Sequence, residues 1–304
     1  MDGRDDARPA GTGAAQAGSG RANGVGETAR GNPFGPDPAA PSDPAPSDPA
    51  APAPPRAAVA HAQEPDAKRA VAEAAEGTMT ALPALTLTRD HLARVPAQAD
   101  ADGARPVPLP DDAFYDGVAA DILGALPEGA PLWVFAIGSL LWNPRFEVGE
   151  TRPALVKGWR RAFCLGPTLW RRGNPAAPGR MLSLDRGGEC WGVALEMASP
   201  NRHAALVALL KTEPPTPPTW VRAETEAGPV DAIAFTADTA YALYSPEPHE
   251  DELADILARA SGSVGTMAEY VLYTVEELHK AGVYDPYLWR LQEKLAERLA
   301  ESGD

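Results

Sequence analysis

From Met1 to about Pro83 the chain is built largely from Ala, Pro, Gly and Asp, with FGPDPAAPSDPAPSDPAAPAPPR as its clearest stretch. Such a segment carries too few large apolar side chains to offset the entropy lost on ordering. The sequence therefore predicts a disordered tail over residues 1–83, partly polyproline II in character, with at most a weak helix over 66–76. A solvated tail is favoured over a partner-binding arm. The fold must come from a single domain over residues 84–304.

That domain changes period along its length. Thr88 reads as the N-cap of a short helix. Phe114, Val118, Ile122 and Leu126 recur at helical spacing over 111–126. Short apolar runs rich in strand formers follow at 132–137, 156–165 and 230–236. Runs 181–185 and 189–197 flank Arg186-Gly187-Gly188, which predicts a hairpin. In the second arm Trp191, Val193, Leu195 and Met197 alternate with smaller or polar residues, so one face is apolar. Ser199 as N-cap and Pro200 as first residue predict a helix ending at Pro214-Pro215. Three more helices are predicted: over 252–260, from the capping box Thr266-Met267-Ala268-Glu269 to Gly282, and from Asp285-Pro286 onward. The domain is α+β, not a repeating βαβ array. It has no G-x-G-x-x-G and no Walker loop.

Charge narrows the partners. The chain carries 27 Lys and Arg against 42 Asp and Glu, a net charge of -15. That argues against nucleic acid and against anionic lipid, but not against a small anionic substrate in a locally positive site. Cys164 and Cys190 match no metal spacing and read as buried, reduced thiols. The five histidines lie in separate segments, so no metal is expected. No apolar run is long enough to cross a bilayer. The first residues do not look like a secretory leader, so the expected location is the cytoplasm. Oligomeric state is not legible.

The segment that points to chemistry is Trp133 to Pro144, WVFAIGSLLWNP. A strand runs straight into Gly138-Ser139, where exposed backbone N–H groups can hold a carboxylate or an oxyanion. By itself this is most simply a turn. The segment also resembles the F-x-Y-G-S-L-x-W-N-P loop of the ChaC-type gamma-glutamylcyclotransferases. Gly158-Trp159-Arg160-Arg161-Ala162-Phe163-Cys164-Leu165, Pro178-Gly179-Arg180-Met181-Leu182-Ser183-Leu184, Cys190-Trp191-Gly192-Val193-Ala194 and Gly265-Thr266-Met267-Ala268-Glu269-Tyr270 resemble further blocks of that family, in the same order.

The resemblance implies a small mixed β-barrel with flanking helices. It implies cyclisation of a gamma-glutamyl group, glutathione foremost, to 5-oxoproline with release of Cys-Gly. The substrate's own α-amine attacks its γ-carbonyl, so no cofactor is implied. The family's catalytic glutamate follows a helix in a motif similar to R-E-M, which places Glu213 of Lys211-Thr212-Glu213-Pro214 as the base. A carboxylate at the negative end of a helix would be the better base. Ile137, Gly138, Ser139 and Leu140 would line the substrate, with Tyr270 as a binding phenol and Arg180 meeting the far carboxylate. Tyr270 and Arg180 also read as core and surface residues respectively. Trp142, Trp159 and Trp191 read as core. Ile137 stands where the family has Tyr, and Pro214-Pro215-Thr216-Pro217-Pro218 replaces a longer loop. A catalytically silent, ligand- or protein-binding relative is therefore the alternative. Glu147 and Glu269 are rival bases.

Overall fold

The structure, a computed structural model, describes residues 81–95 and 102–301. The tail expected over 1–83 lies outside the described residues except for its last three positions, and the weak helix over 66–76 lies wholly outside them. From Pro83 the chain is tied to the domain. Trp289 Nε1 donates to the Pro83 carbonyl at 3.0 Å, and Gln292 Oε1 accepts from the amides of Thr86 and Leu87 at 2.9 and 2.7 Å. Leu87 is buried.

The element order is α1 (Arg89–Leu92), α2 (Asp112–Gly124), β1 (Trp133–Ala136), a 3-10 turn (Ser139–Leu141), β2 (Val148–Thr168), β3 (Gly179–Met197), α3 (Arg202–Leu210), β4 (Thr219–Thr225), β5 (Val230–Ala234), α4 (Glu250–Arg259), the short pair β6 (Ser261–Gly262) and β7 (Gly265–Thr266), α5 (Met267–Lys280) and α6 (Pro286–Glu301). Five strands close into a barrel in the order β1-β3-β2-β4-β5. Closure is made by β5 pairing parallel to β1, Trp133 opposite Ala232, while the other pairs are antiparallel. The closed order leaves these strands no free edge.

Strand alternation sends β1 to two cores at once. Trp133 and Phe135 pack with Ala154, Val156, Leu184 and Ala232, while Val134 and Ala136 pack with Ile122 of α2 and Leu206 and Leu209 of α3. A third core joins α4, α5 and α6 around Leu257, Val271 and Leu291, with Phe163 of β2 inserted into it.

Most predicted elements appear, with three corrections. Arg186-Gly187-Gly188 does not turn a hairpin, because β3 runs unbroken through it. Gly187 and Gly188 have φ of 92° and 70°, and opposite them Gly158 of β2 has φ of 84° where the register shifts. Glycines in left-handed conformation on both strands make a bulge, which bends a paired ribbon without ending it. The turn that joins the two strands lies at 169–178. The cap of α3 is Asn201, whose side chain accepts from the Ala204 amide at 3.0 Å. Ser199 instead accepts from the Glu147 amide, also at 3.0 Å. Strand β4 follows directly on the proline run and had no alternation clear enough to predict it. The other caps match: Thr266 and Glu269 form the reciprocal box at 3.0 and 2.8 Å, and Asp285 accepts from the first amides of α6.

Candidate active site

Strand β1 delivers the Ile137-Gly138-Ser139 turn to one end of the barrel. A buried arginine fixes its entry. Arg161 donates from Nε to the Ile137 carbonyl at 3.1 Å and from Nη2 to the Trp191 carbonyl at 2.7 Å, and is ion-paired with Asp285 at the start of α6. The side chain at 137 is thus less important here than its carbonyl. Ile137 itself packs on the barrel core.

Beyond the turn lies a cavity of about 180 Å³ whose wall includes Ser139, Arg180, Glu213 and Tyr270. Four sequence-predicted residues meet there. Gly138 is buried just behind the wall, and a Cβ on it would stand 2.2 Å from Tyr270 Oη. Only hydrogen fits, so the glycine is required by the tyrosine that closes over it. Leu140 differs from expectation: it is buried in the core with Leu206 and Ile233, because successive side chains of a 3-10 turn diverge around its axis. The predicted core residue Trp142 lines the cavity and meets Tyr270 edge-on at 5.2 Å between centroids.

Tyr270 takes the backbone donor that the sequence assigned to substrate. The Ser139 amide donates to its phenol oxygen at 3.3 Å. Burial, and then the nearby Glu213 charge, push the Tyr270 pKa up to about 12. The phenol stays protonated near neutrality and keeps its own hydrogen to donate.

Glu213 follows α3 by two residues past the Lys211 cap. The residue keeps part of its surface open to the cavity, but protein crowds its carboxyl. Loss of hydration pushes its pKa up to about 7, against the pull of Arg171 and then Arg145. The cause is burial rather than the helix end invoked from sequence. Glu213 is the only carboxylate in the cavity wall among the described residues. Neither rival base reaches it. Glu269 is held by Thr266 and by Arg172 at 3.2 Å, and Glu147 is exposed elsewhere.

Opposite this one acid stand Arg105, Arg145, Arg171, Arg172, Arg180 and Lys211, a locally positive site in an acidic chain. Arg180 lines the cavity but is committed elsewhere. Its guanidinium is engaged by the carbonyls of Phe163, Ser245 and Pro246 at 3.0–3.3 Å and by Ser245 Oγ at 3.0 Å. Arg145 and Arg171 escaped the sequence reading, as did Arg105. Both Arg145 and Arg171 have left-handed backbone, φ 65° and 63°, and no other described non-glycine residue has positive φ. Each costs on the order of 1 kcal/mol or more. The loop that carries Arg171 is clamped: Val264 donates to the Arg171 carbonyl at 2.8 Å, and Asp102 accepts from its amide at 2.9 Å. The Arg-Arg-Gly run at 171–173 was the available signal. Nothing local marks Arg105.

The described residues hold no cluster of His, Cys, Asp and Glu suited to a metal. No described helix is long and apolar enough to cross a membrane.

Comparison with known proteins agrees with this geometry. A family model described as ChaC-like protein matches residues 132–298, more than half of the chain. A glutathione-specific gamma-glutamylcyclotransferase of Escherichia coli (strain K12) is 37% identical over 187 residues, covering 60% of this chain and 80% of the relative. The human glutathione-specific gamma-glutamylcyclotransferase 1 is 31% identical over 160 residues, covering 50% of this chain and 71% of the relative. In fold, the chain is similar to the crystal structure of a yeast gamma-glutamyl cyclotransferase specific to glutathione, with a TM-score of 0.50 at 18% identity over 56% of this chain and 97% of that one. On the matched model and the relatives together, the chain belongs to the ChaC-like family.

Proposed function

We propose that the protein is a gamma-glutamylcyclotransferase that converts glutathione to 5-oxoproline and Cys-Gly, with Glu213 as the general base. The observation that carries this reading is one carboxylate, poised near neutrality, beside a protonated phenol in a cavity whose other charged lining residues are all cations. The relatives' specificity for glutathione agrees with it.

The reaction needs no external nucleophile. Glu213 takes a proton from the substrate's α-ammonium, and the freed amine attacks the γ-carbonyl carbon. A carbon–nitrogen bond forms and the carbonyl electrons move onto oxygen. Tyr270, whose phenol accepts from the Ser139 amide, donates to that oxygen. Collapse breaks the original amide bond. Glu213 passes its proton to the leaving nitrogen, then takes the second proton from the ring nitrogen and yields it to the released amine, which departs as an ammonium, so atoms and charge balance without water or cofactor. The cavity's part is to fold the substrate until amine and carbonyl meet.

The silent-relative alternative rested on Ile137 and the proline run. Arg161 holds the Ile137 carbonyl regardless of its side chain, and Pro214 and Pro215 line the cavity without displacing Glu213 from it. We place the activity in the cytoplasm, in keeping with Cys164 and Cys190, which are buried and unjoined. The test is incubation of purified protein with glutathione and mass spectrometry for 5-oxoproline. Release above the uncatalysed rate is expected, and its absence under reducing conditions at pH 8 rejects the reading.

A further inference from the structure

We propose that Arg145 and Arg171 form the receptor for the C-terminal carboxylate of the leaving peptide, so that the site selects gamma-glutamyl peptides with a free C-terminus over blocked peptides and gamma-glutamyl amines. The inference rests on the cyclotransferase reading and assigns its specificity.

Charge accounting leads to these two residues. Arg172 is occupied by Glu269 and the Thr266 carbonyl, Lys211 by Asp112 at 2.8 Å, and Arg180 by backbone carbonyls. Arg105 lies over the Trp170 ring and is not among the charges that act on Glu213, which are Arg171 and Arg145. The Arg171 guanidinium has no hydrogen-bond partner among the described residues, and Arg145 has only Asn143, whose amide oxygen, turned toward it, accepts at 3.0 and 3.2 Å. Arg171 therefore lines the cavity with its guanidinium donors unused, and Arg145 with its Nη1 end unused, a donor supply that suits a carboxylate.

Backbone points the same way. The only described non-glycine residues with positive φ are these two. A side chain kept in that conformation at two separate loops of one cavity is held there by the surrounding structure, and such positions gather at ligand clamps.

Substrate geometry supplies the third argument. The glutamyl amine must sit on Glu213 and the γ-carbonyl by Tyr270, so the leaving peptide extends away from them. Arg171 is half-buried and Arg145 exposed at the rim. Both act electrostatically on Glu213, and they are the only cavity cations that do among the described residues. The far-carboxylate role assigned to Arg180 from sequence passes to this pair, because Arg180 has spent its donors on Ser245 and its neighbours.

The test compares glutathione with glutathione amidated at its glycine carboxylate. Calorimetric affinity is read in Glu213→Gln protein, which turns substrate over slowly enough to titrate, and KM and kcat are read in native protein. Amidation is expected to weaken binding about tenfold or more. Arg171→Gln or Arg145→Gln should weaken glutathione by a similar factor and the amide hardly at all. Arg171→Lys should recover part of the loss. Equal weakening of both ligands, or of neither, overturns the receptor. Equal weakening with 5-oxoproline release intact leaves the cyclotransferase reading standing. The expected pattern without any release by native protein sinks that reading and leaves the receptor. Failure of glutathione to bind at all overturns both.

Discussion

Arginine and lysine have two different fates in this molecule. On the outer face, α6 meets α4 through matched pairs: Arg290 with Glu250 at 2.8 Å and Lys294 with Asp251 at 2.6 Å. In the cavity wall, six cations stand with one carboxylate, and of the six only Arg172 and Lys211 have an acidic partner outside it among the described residues, Glu269 and Asp112. The outer pairs are solvent-screened and contribute little. The cavity keeps a surplus of positive charge in a chain whose net charge is -15. That surplus is maintained against bulk composition and includes both strained arginines. Unmatched charge in an enclosed place marks where a ligand completes the structure.

The contrast is most severely tested at the single acid. Glu213→Gln keeps the shape but cannot take a proton, so kcat should fall about 10²–10⁴-fold. Affinity should change much less, since the amide oxygen still accepts from the ammonium. Steady-state kinetics on glutathione checks both.

The same residue should leave a mark on stability. Its carboxyl ionises near 4.5 when unfolded and near 7 when folded. A raised acid stabilises the fold fully below the lower value and loses that contribution as pH rises through the higher one. Native stability should therefore fall between pH 4.5 and 7 by up to roughly 3 kcal/mol. Denaturant titrations of Glu213→Gln should lack that part of the slope.

A smaller effect is expected at the turn. Valine at 138 would place its Cβ 2.2 Å from Tyr270 Oη and 3.3 Å from Leu182. Gly138→Val should push the phenol off the Ser139 amide and lower affinity for glutathione about tenfold, with far-ultraviolet circular dichroism unchanged. Native affinity in a folded variant would separate the turn from the site. The smallest effect belongs to the outer face: Lys294→Gln should cost about 0.5 kcal/mol or less in thermal unfolding and leave turnover untouched.

What could be read from sequence followed the range of the interactions. Local signals carried far. The Thr266 box, the Asp285-Pro286 start and the strand before Gly138 depend on neighbours within a few residues. Glu213 was located by motif order, and its raised pKa was anticipated with the wrong cause, since crowding by distant segments is invisible locally. Arg186-Gly187-Gly188 misled because glycine in left-handed backbone serves a bulge as well as a turn. Only the partner strand, with Gly158 opposite, decides between them. Arg145 was missed because left-handed backbone at arginine has no sequence signature, and Arg171 because the Arg-Arg-Gly run at 171–173, though a signal of a tight basic turn, does not say which cavity the turn faces. Leu140 was misplaced because motif spacing says nothing about which way a 3-10 turn points its side chains.

The central claim is that an enclosed Glu213, held near neutrality between burial and two arginines, is the base. The pH dependence of kcat/KM for 5-oxoproline release tests it most directly. Native protein should show an acid limb with its midpoint near pH 7, since only the ionised carboxylate accepts a proton. Arg171→Gln should move that limb upward, because it removes a charge that favours ionisation. Glu213→Gln should abolish the limb at a much lower rate. A native limb that persists unchanged in Glu213→Gln, at native rate, would contradict the account.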